Sequence, residues 1–109
     1  MPSFPKSARI LKRGEFEGLW KKGIALGNPY FGLRWQRGKE RRLGIVVGRK
    51  AVGRAVQRNR IKRVIREFFR NHPEKFPMGD IILVARRGID GLNNEAIREG
   101  LTGLLERKK

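Results

Sequence analysis

The stretch GRAVQRNRIKRVIREFFR, residues 53–70, decides how this chain must be built. It holds seven Lys or Arg and one carboxylate, Glu67, yet keeps an apolar side. At about 100° per residue, Ile61, Val64, Ile65, Phe68 and Phe69 fall within an arc of about 140°, wide enough to pack on a sheet. Lys62, Arg66 and Arg70 step by four along the other side, with Asn59 and Arg63 filling in around them. Arg58 and Arg60 sit near the first turns, and Arg49, Lys50 and Arg54 lie just upstream in RKAVGR. The spacing predicts a helix over 54–71, closed by His72-Pro73, because the residue before proline avoids the α region. One side needs an apolar layer to lie on. The other carries like charges that repel at this spacing and that a single Glu cannot balance. A solvated face without a partner usually mixes its signs, so a polyanion is the expected partner of this one.

The apolar layer comes from the flanking segments. YFGLRW (30–35) and LGIVV (43–47) have strand-forming composition, and the polar RGKER between them suits an antiparallel hairpin. DIILVARR (80–87) is a further strand, whose continuous apolar run calls for burial on both faces or a central position. Phe31, Leu33 and Trp35 alternate along their strand and so share one of its faces. Upstream, RGEFEGLWKKG reads as a short helix with Phe16, Leu19 and Trp20 on one face. Downstream of Asp90-Gly91, residues 92–109 read as a closing helix, capped by Asn93 or Asn94, with Ile97, Leu101, Leu104 and Leu105 as its stripe. The order is helix, two or three strands, helix, strand, helix: an α+β fold, one domain spanning 1–109, with helices covering a sheet.

Composition narrows the function. Of 109 residues, 27 are Lys or Arg and 10 are Asp or Glu, a net charge of +17 that the compact state tolerates at the cost of self-repulsion. Nucleic acid is the first candidate partner and an anionic membrane the second. With no cysteine, disulfides and thiolate metal sites are excluded. The opening MPSFPKSARILKRG lacks the apolar stretch of a signal peptide, and the longest apolar run, IILVA at 81–85, is far too short for a bilayer, so a cytoplasmic location is expected. The ten carboxylates are scattered without metal spacing, and His72 is the only histidine. No catalytic or metal-binding residues are therefore expected in the chain itself. There is no zinc finger, heptad zipper, RNP-type aromatic motif or P-loop. A basic amphipathic helix could also lie on a membrane, but here the sheet needs its apolar side. Arginine, suited to forked phosphate contacts and to stacking on bases, dominates the basic face and favours RNA.

From RNRIKRVIREFFR (58–70) outward, the chain resembles the protein subunit of bacterial ribonuclease P. ARILKRGEFEGLWKKG resembles that family's opening, RLGIVVGRKAVGRAVQRNR its strand and loop leading into the Arg-Asn-Arg helix, and DIILVARRG its last strand. The likeness runs in order from about residue 7 to 107. It implies a two-layer sandwich with a left-handed βαβ crossover, contrary to the usual handedness. It also implies a role in assisting a catalytic RNA that removes the 5′ leader of precursor tRNA, with magnesium (Mg2+) bound mainly by RNA. On this resemblance Arg58, Asn59, Arg60, Lys62, Arg63 and Arg66 meet the catalytic RNA and the substrate. Phe16, Trp20 and Phe31 form the aromatic wall of a leader-binding cleft, where bases stack with little sequence preference. Arg34 stands about where members of the family often carry another aromatic. The implied partners are the catalytic RNA and precursor tRNA, with no membrane and no obligate protein partner. The other reading left open is a basic ribosomal or ribosome-associated RNA-binding protein with no part in cleavage.

Overall fold

The structure is a computed structural model that describes residues 24–106; the expected opening helix, with Phe16 and Trp20, lies outside them. Strands β1 (Ile24–Gly27), β2 (Phe31–Arg37) and β3 (Arg41–Val46) precede helix α1 (Ala55–Asn71). Strand β4 (Gly79–Ala85) and helix α2 (Asn94–Glu106) follow. The four strands form one sheet in the order β1-β2-β4-β3, antiparallel except for the β3–β4 pair.

The hairpin expected between β2 and β3 does not form, because β4 is inserted between them. Arg37 of β2 and Arg41 of β3 both stand opposite Gly79, so the 38–40 connection straddles the first residue of β4. Gly79 has φ of 133°, and a Cβ there would overlap the Gln36 carbonyl oxygen, so only glycine fits beneath the connection. The reason for the insertion lies in β4 itself. Ile81, Ile82 and Leu83 point alternately to both faces and are all fully buried, which an edge position would not provide. β3 and β4 are parallel, and α1 supplies the long crossover that parallel neighbours require.

Phe31, Leu33 and Trp35 of β2, Leu43 of β3, and Ile81, Leu83 and Ala85 of β4 form the sheet's contribution to the main core. α1 adds Ile61, Val64, Ile65, Phe68 and Phe69, and α2 adds Ile97, Leu101, Leu104 and Leu105, which are the two stripes read from periodicity. Burying each such side chain contributes about 1.5–3 kcal/mol relative to leaving it exposed. The rings of Phe68 and Phe69 meet Phe76 edge-on at 5.9 and 4.8 Å, closing the core where α1 turns back towards β4. Asn93 is the cap of α2, its Oδ1 accepting the Ala96 N–H at 2.8 Å. His72 ends α1 and donates its backbone N–H to the Phe68 carbonyl.

Candidate nucleic-acid interface

With one side of α1 sealed against the core, its opposite side is fixed in direction. Asn59, Arg63 and Arg66 are exposed on it, and Lys62 and Arg70 are half-buried beside them. No acidic residue lies in the first turn of α1, and the N-cap residue Arg54 makes no side-chain capping bond. The exposed Arg49 and Lys50 occupy the loop leading into this helix end, so positive side chains add to the positive end of the helix dipole. The Arg87 Nε donates to the Lys50 carbonyl at 3.2 Å, tying this loop to the end of β4.

The two arginines of the Arg-Asn-Arg motif behave differently from their neighbours. Arg58 Nη1 donates to the carbonyls of Val52 and Gly53 at 3.0 and 2.8 Å, which pins the loop under the helix start and leaves the rest of the guanidinium for a ligand. Arg60 is bound to the segment that opens α2: Nη1 donates to Asn94 Oδ1 at 2.7 Å, and Nη2 donates to the carbonyls of Leu92 and Asp90 at 3.1 and 3.3 Å. Asn59 between them is exposed. Arg86 and Arg87 also belong to the basic surface, although helix periodicity offers no signal for them. Arg86 donates to the Asn28 carbonyl at 2.7 Å and lies close over Gly27 and Gly32, where a Cβ would press on its guanidinium.

The expected aromatic wall is corrected at Phe31. Its side chain is 0% exposed, within the core and beside Gly100 of α2, so it has no face to offer a base. The alternation Phe31-Leu33-Trp35 places all three on the helix-covered face of the sheet, and Trp35 additionally donates its indole N–H to the Met78 carbonyl at 3.0 Å. The opposite face carries Arg34, Gly44 and Ile82, together with Arg42 and Asp80, which form a two-pronged ion pair at 2.7 and 2.8 Å. Phe16 and Trp20 lie outside the described residues.

Among the described residues no three His, Asp or Glu side chains come together as a metal site. Asp80 is engaged by Arg42, and the exposed His72 is followed by Glu74 at 3.7 Å. These donors do not fit a magnesium site. No helix among the described residues is long and apolar enough to cross a membrane.

The arrangement is a rigid cationic ridge: a core-anchored helix, a basic loop at its start, and a strand end stitched to that loop. The Ribonuclease P family profile matches residues 4–109. The chain belongs to the ribonuclease P protein family. Two similar relatives are the ribonuclease P protein components of Nitratiruptor sp., 39% identical over 95% of this chain and 95% of the relative, and of Geotalea uraniireducens, 36% identical over 96% and 94%. Among solved structures, the RNase P protein of Staphylococcus aureus superposes with a TM-score of 0.87 at 36% identity, covering 95% of this chain and 97% of that one. The Thermotoga maritima RNase P protein gives a TM-score of 0.80 at 37% identity, covering 91% and 96%. The family function is therefore that of this chain: the protein component of the ribonucleoprotein that trims the 5′ leader of precursor tRNA.

Proposed function

We propose that the exposed side of α1, continued by the loop carrying Arg49, Lys50 and Arg54, is the surface that docks on the catalytic RNA and steadies the precursor tRNA beside it. The observation that carries this reading is the unbalanced row Asn59, Lys62, Arg63, Arg66 and Arg70 on a helix whose other side is sealed in the core. Cations held on a rigid element offset phosphate–phosphate repulsion between two RNAs without being reorganised on binding. The chemistry of cleavage resides in the RNA, which also holds the magnesium. What supports this on the protein side is that, among the described residues, no three carboxylates or histidines gather as a metal cage, and that His72 is the sequence's one histidine, with no second to form an acid–base pair. The leader is received with the help of Phe16 and Trp20, while Phe31 belongs to the core.

The test is leader cleavage of precursor tRNA by the cognate catalytic RNA at low magnesium. It is run without protein, with this chain, and with the Asn59→Ala/Arg63→Ala/Arg66→Ala variant. The expected result is stimulation by the wild type that the variant loses while keeping the wild-type unfolding curve. Equal stimulation by a folded variant would move the docking surface elsewhere. No stimulation by the wild type, with generic RNA binding retained, would instead support a ribosome-type RNA-binding protein.

A further inference from the structure

Arg60 lies in the middle of the basic motif, yet its hydrogen bonds run into the protein. An arginine side chain has five N–H donors. Four are engaged: Nε with Gln57 Oε1, Nη1 with Asn94 Oδ1, and the two of Nη2 with the carbonyls of Asp90 and Leu92. Three of these acceptors are 30 to 34 residues away along the chain. They lie within the 3-10 turn Ile89–Gly91, just after it, and at the first residue of α2. That turn begins two residues after Arg87, whose Nε holds the Lys50 carbonyl in the basic loop. A continuous line of contacts therefore runs from α1 through Arg60 to the turn, from the turn to Arg87, and from Arg87 to the loop of Arg49 and Lys50.

We propose that Arg60 is a positioning residue for RNA binding: it fixes the turn at 89–92 against α1 and so sets the cations of the β4 end and the β3–α1 loop in register with Asn59, Arg63 and Arg66. This rests on the RNA-binding reading given above. Arg60 acts through those neighbours rather than on phosphate, because its fork is already matched to protein acceptors in three directions. Lysine cannot replace it, since a single ammonium at the end of a flexible stem cannot reach acceptors arranged around a planar fork. Arg58 differs, because only its Nη1 is tied down.

Counting phosphates separates contact from positioning. The affinity of a cationic protein for nucleic acid falls with salt by about 0.7–0.9 logarithmic units per decade for each phosphate neutralised. Binding to the cognate ribonuclease P RNA is measured across a salt series for the wild type, Arg60→Ala, Arg60→Lys, Asn94→Ala and, as a contact reference, Arg63→Ala, with thermal unfolding of each. Arg60→Ala is expected to weaken binding by about 10-fold with the wild-type slope, and Arg60→Lys by nearly as much. Asn94→Ala, which keeps the charge of Arg60 and removes one acceptor, is expected to weaken binding by about 3-fold at unchanged slope. Arg63→Ala is expected to lower the slope by about 0.7–0.9.

A slope lowered by Arg60→Ala and restored by Arg60→Lys would make Arg60 a phosphate contact and overturn the proposal. Unchanged affinity with only a lower melting temperature would make it merely structural, which also overturns it. If Arg60→Ala does not fold, Arg60→Lys and Asn94→Ala decide by the same criteria. A wild type that binds this RNA no better than generic RNA would remove the RNA-binding reading and the role of Arg60 together. Strong wild-type binding with unaffected Arg60 variants would remove the latter alone.

Discussion

Gly79 shows how one residue settles the topology. With φ at 133° and the Gln36 carbonyl pressed where a Cβ would sit, it lets the 38–40 connection pass over the start of β4. Gly79→Ala combines backbone strain with a clash against main chain that cannot swing aside, and is expected to destabilise the fold by about 3 kcal/mol or more in urea unfolding. The Arg42–Asp80 pair works at the same scale, joining β3 to β4 on the sheet face opposite α1 and α2. Both side chains are about three-quarters buried, so Asp80→Ala leaves a guanidinium poorly solvated and is expected to cost about 1–2 kcal/mol, read from the same unfolding curves. Phe31 is the residue where the family resemblance and the alternation of the strand pull apart. The alternation put it on one face with Leu33 and Trp35 without saying which, and the structure shows that shared face to be the core.

At the scale of elements, helices were legible because their signal is local. Both apolar stripes occupy the positions that a 3.6-residue period assigns them, and Asn93 provides the expected cap. Strand partners were less legible, because pairing is decided between segments far apart in sequence. A short polar connection between β2 and β3 favoured a hairpin. The opposing signal was the run Asp80–Ala85, too apolar for an edge, and burial of that run prevailed. On the helical wheel Arg58 falls at about 60° from Ile61, inside the apolar arc, and Arg60 at about 260°, on its flank. The resemblance grouped both with the outward row; the angles set them apart from it, and the structure has them bonded to main-chain carbonyls. The two sides of α1 should accordingly fail in different assays. Phe69→Ala is expected to lower stability by about 3–5 kcal/mol through the cavity it leaves against Phe76. Arg66→Ala is expected to leave unfolding within about 0.5 kcal/mol of wild type while weakening RNA binding.

Across the whole molecule the charge is distributed unevenly, and the unevenness orients it. Asp90, Glu95, Glu99 and Glu106 account for half of the eight carboxylates among the described residues, and all four are exposed on or just before α2, with Arg98 as that helix's cation. The α1 row and the loop of Arg49, Lys50 and Arg54 carry a single half-buried Glu67. An approaching polyanion is therefore drawn to the α1 side and turned from the outer face of α2, so the docking orientation is partly selected before contact. At physiological salt the Debye length is about 8 Å, so charges on a surface outside the contact are largely screened from a bound RNA. Two charge changes of equal size should then have unequal effects. Glu95→Gln/Glu99→Gln adds two positive units on the α2 face and is expected to change affinity for the cognate RNA by less than about 2-fold, with the salt slope unchanged. Arg63→Gln/Arg66→Gln removes two units from the α1 face and is expected to lower the slope by about 1.4–1.8. Comparable slope changes from both pairs would mean that RNA wraps the α2 face as well, and the docking surface would have to be redrawn around both helices.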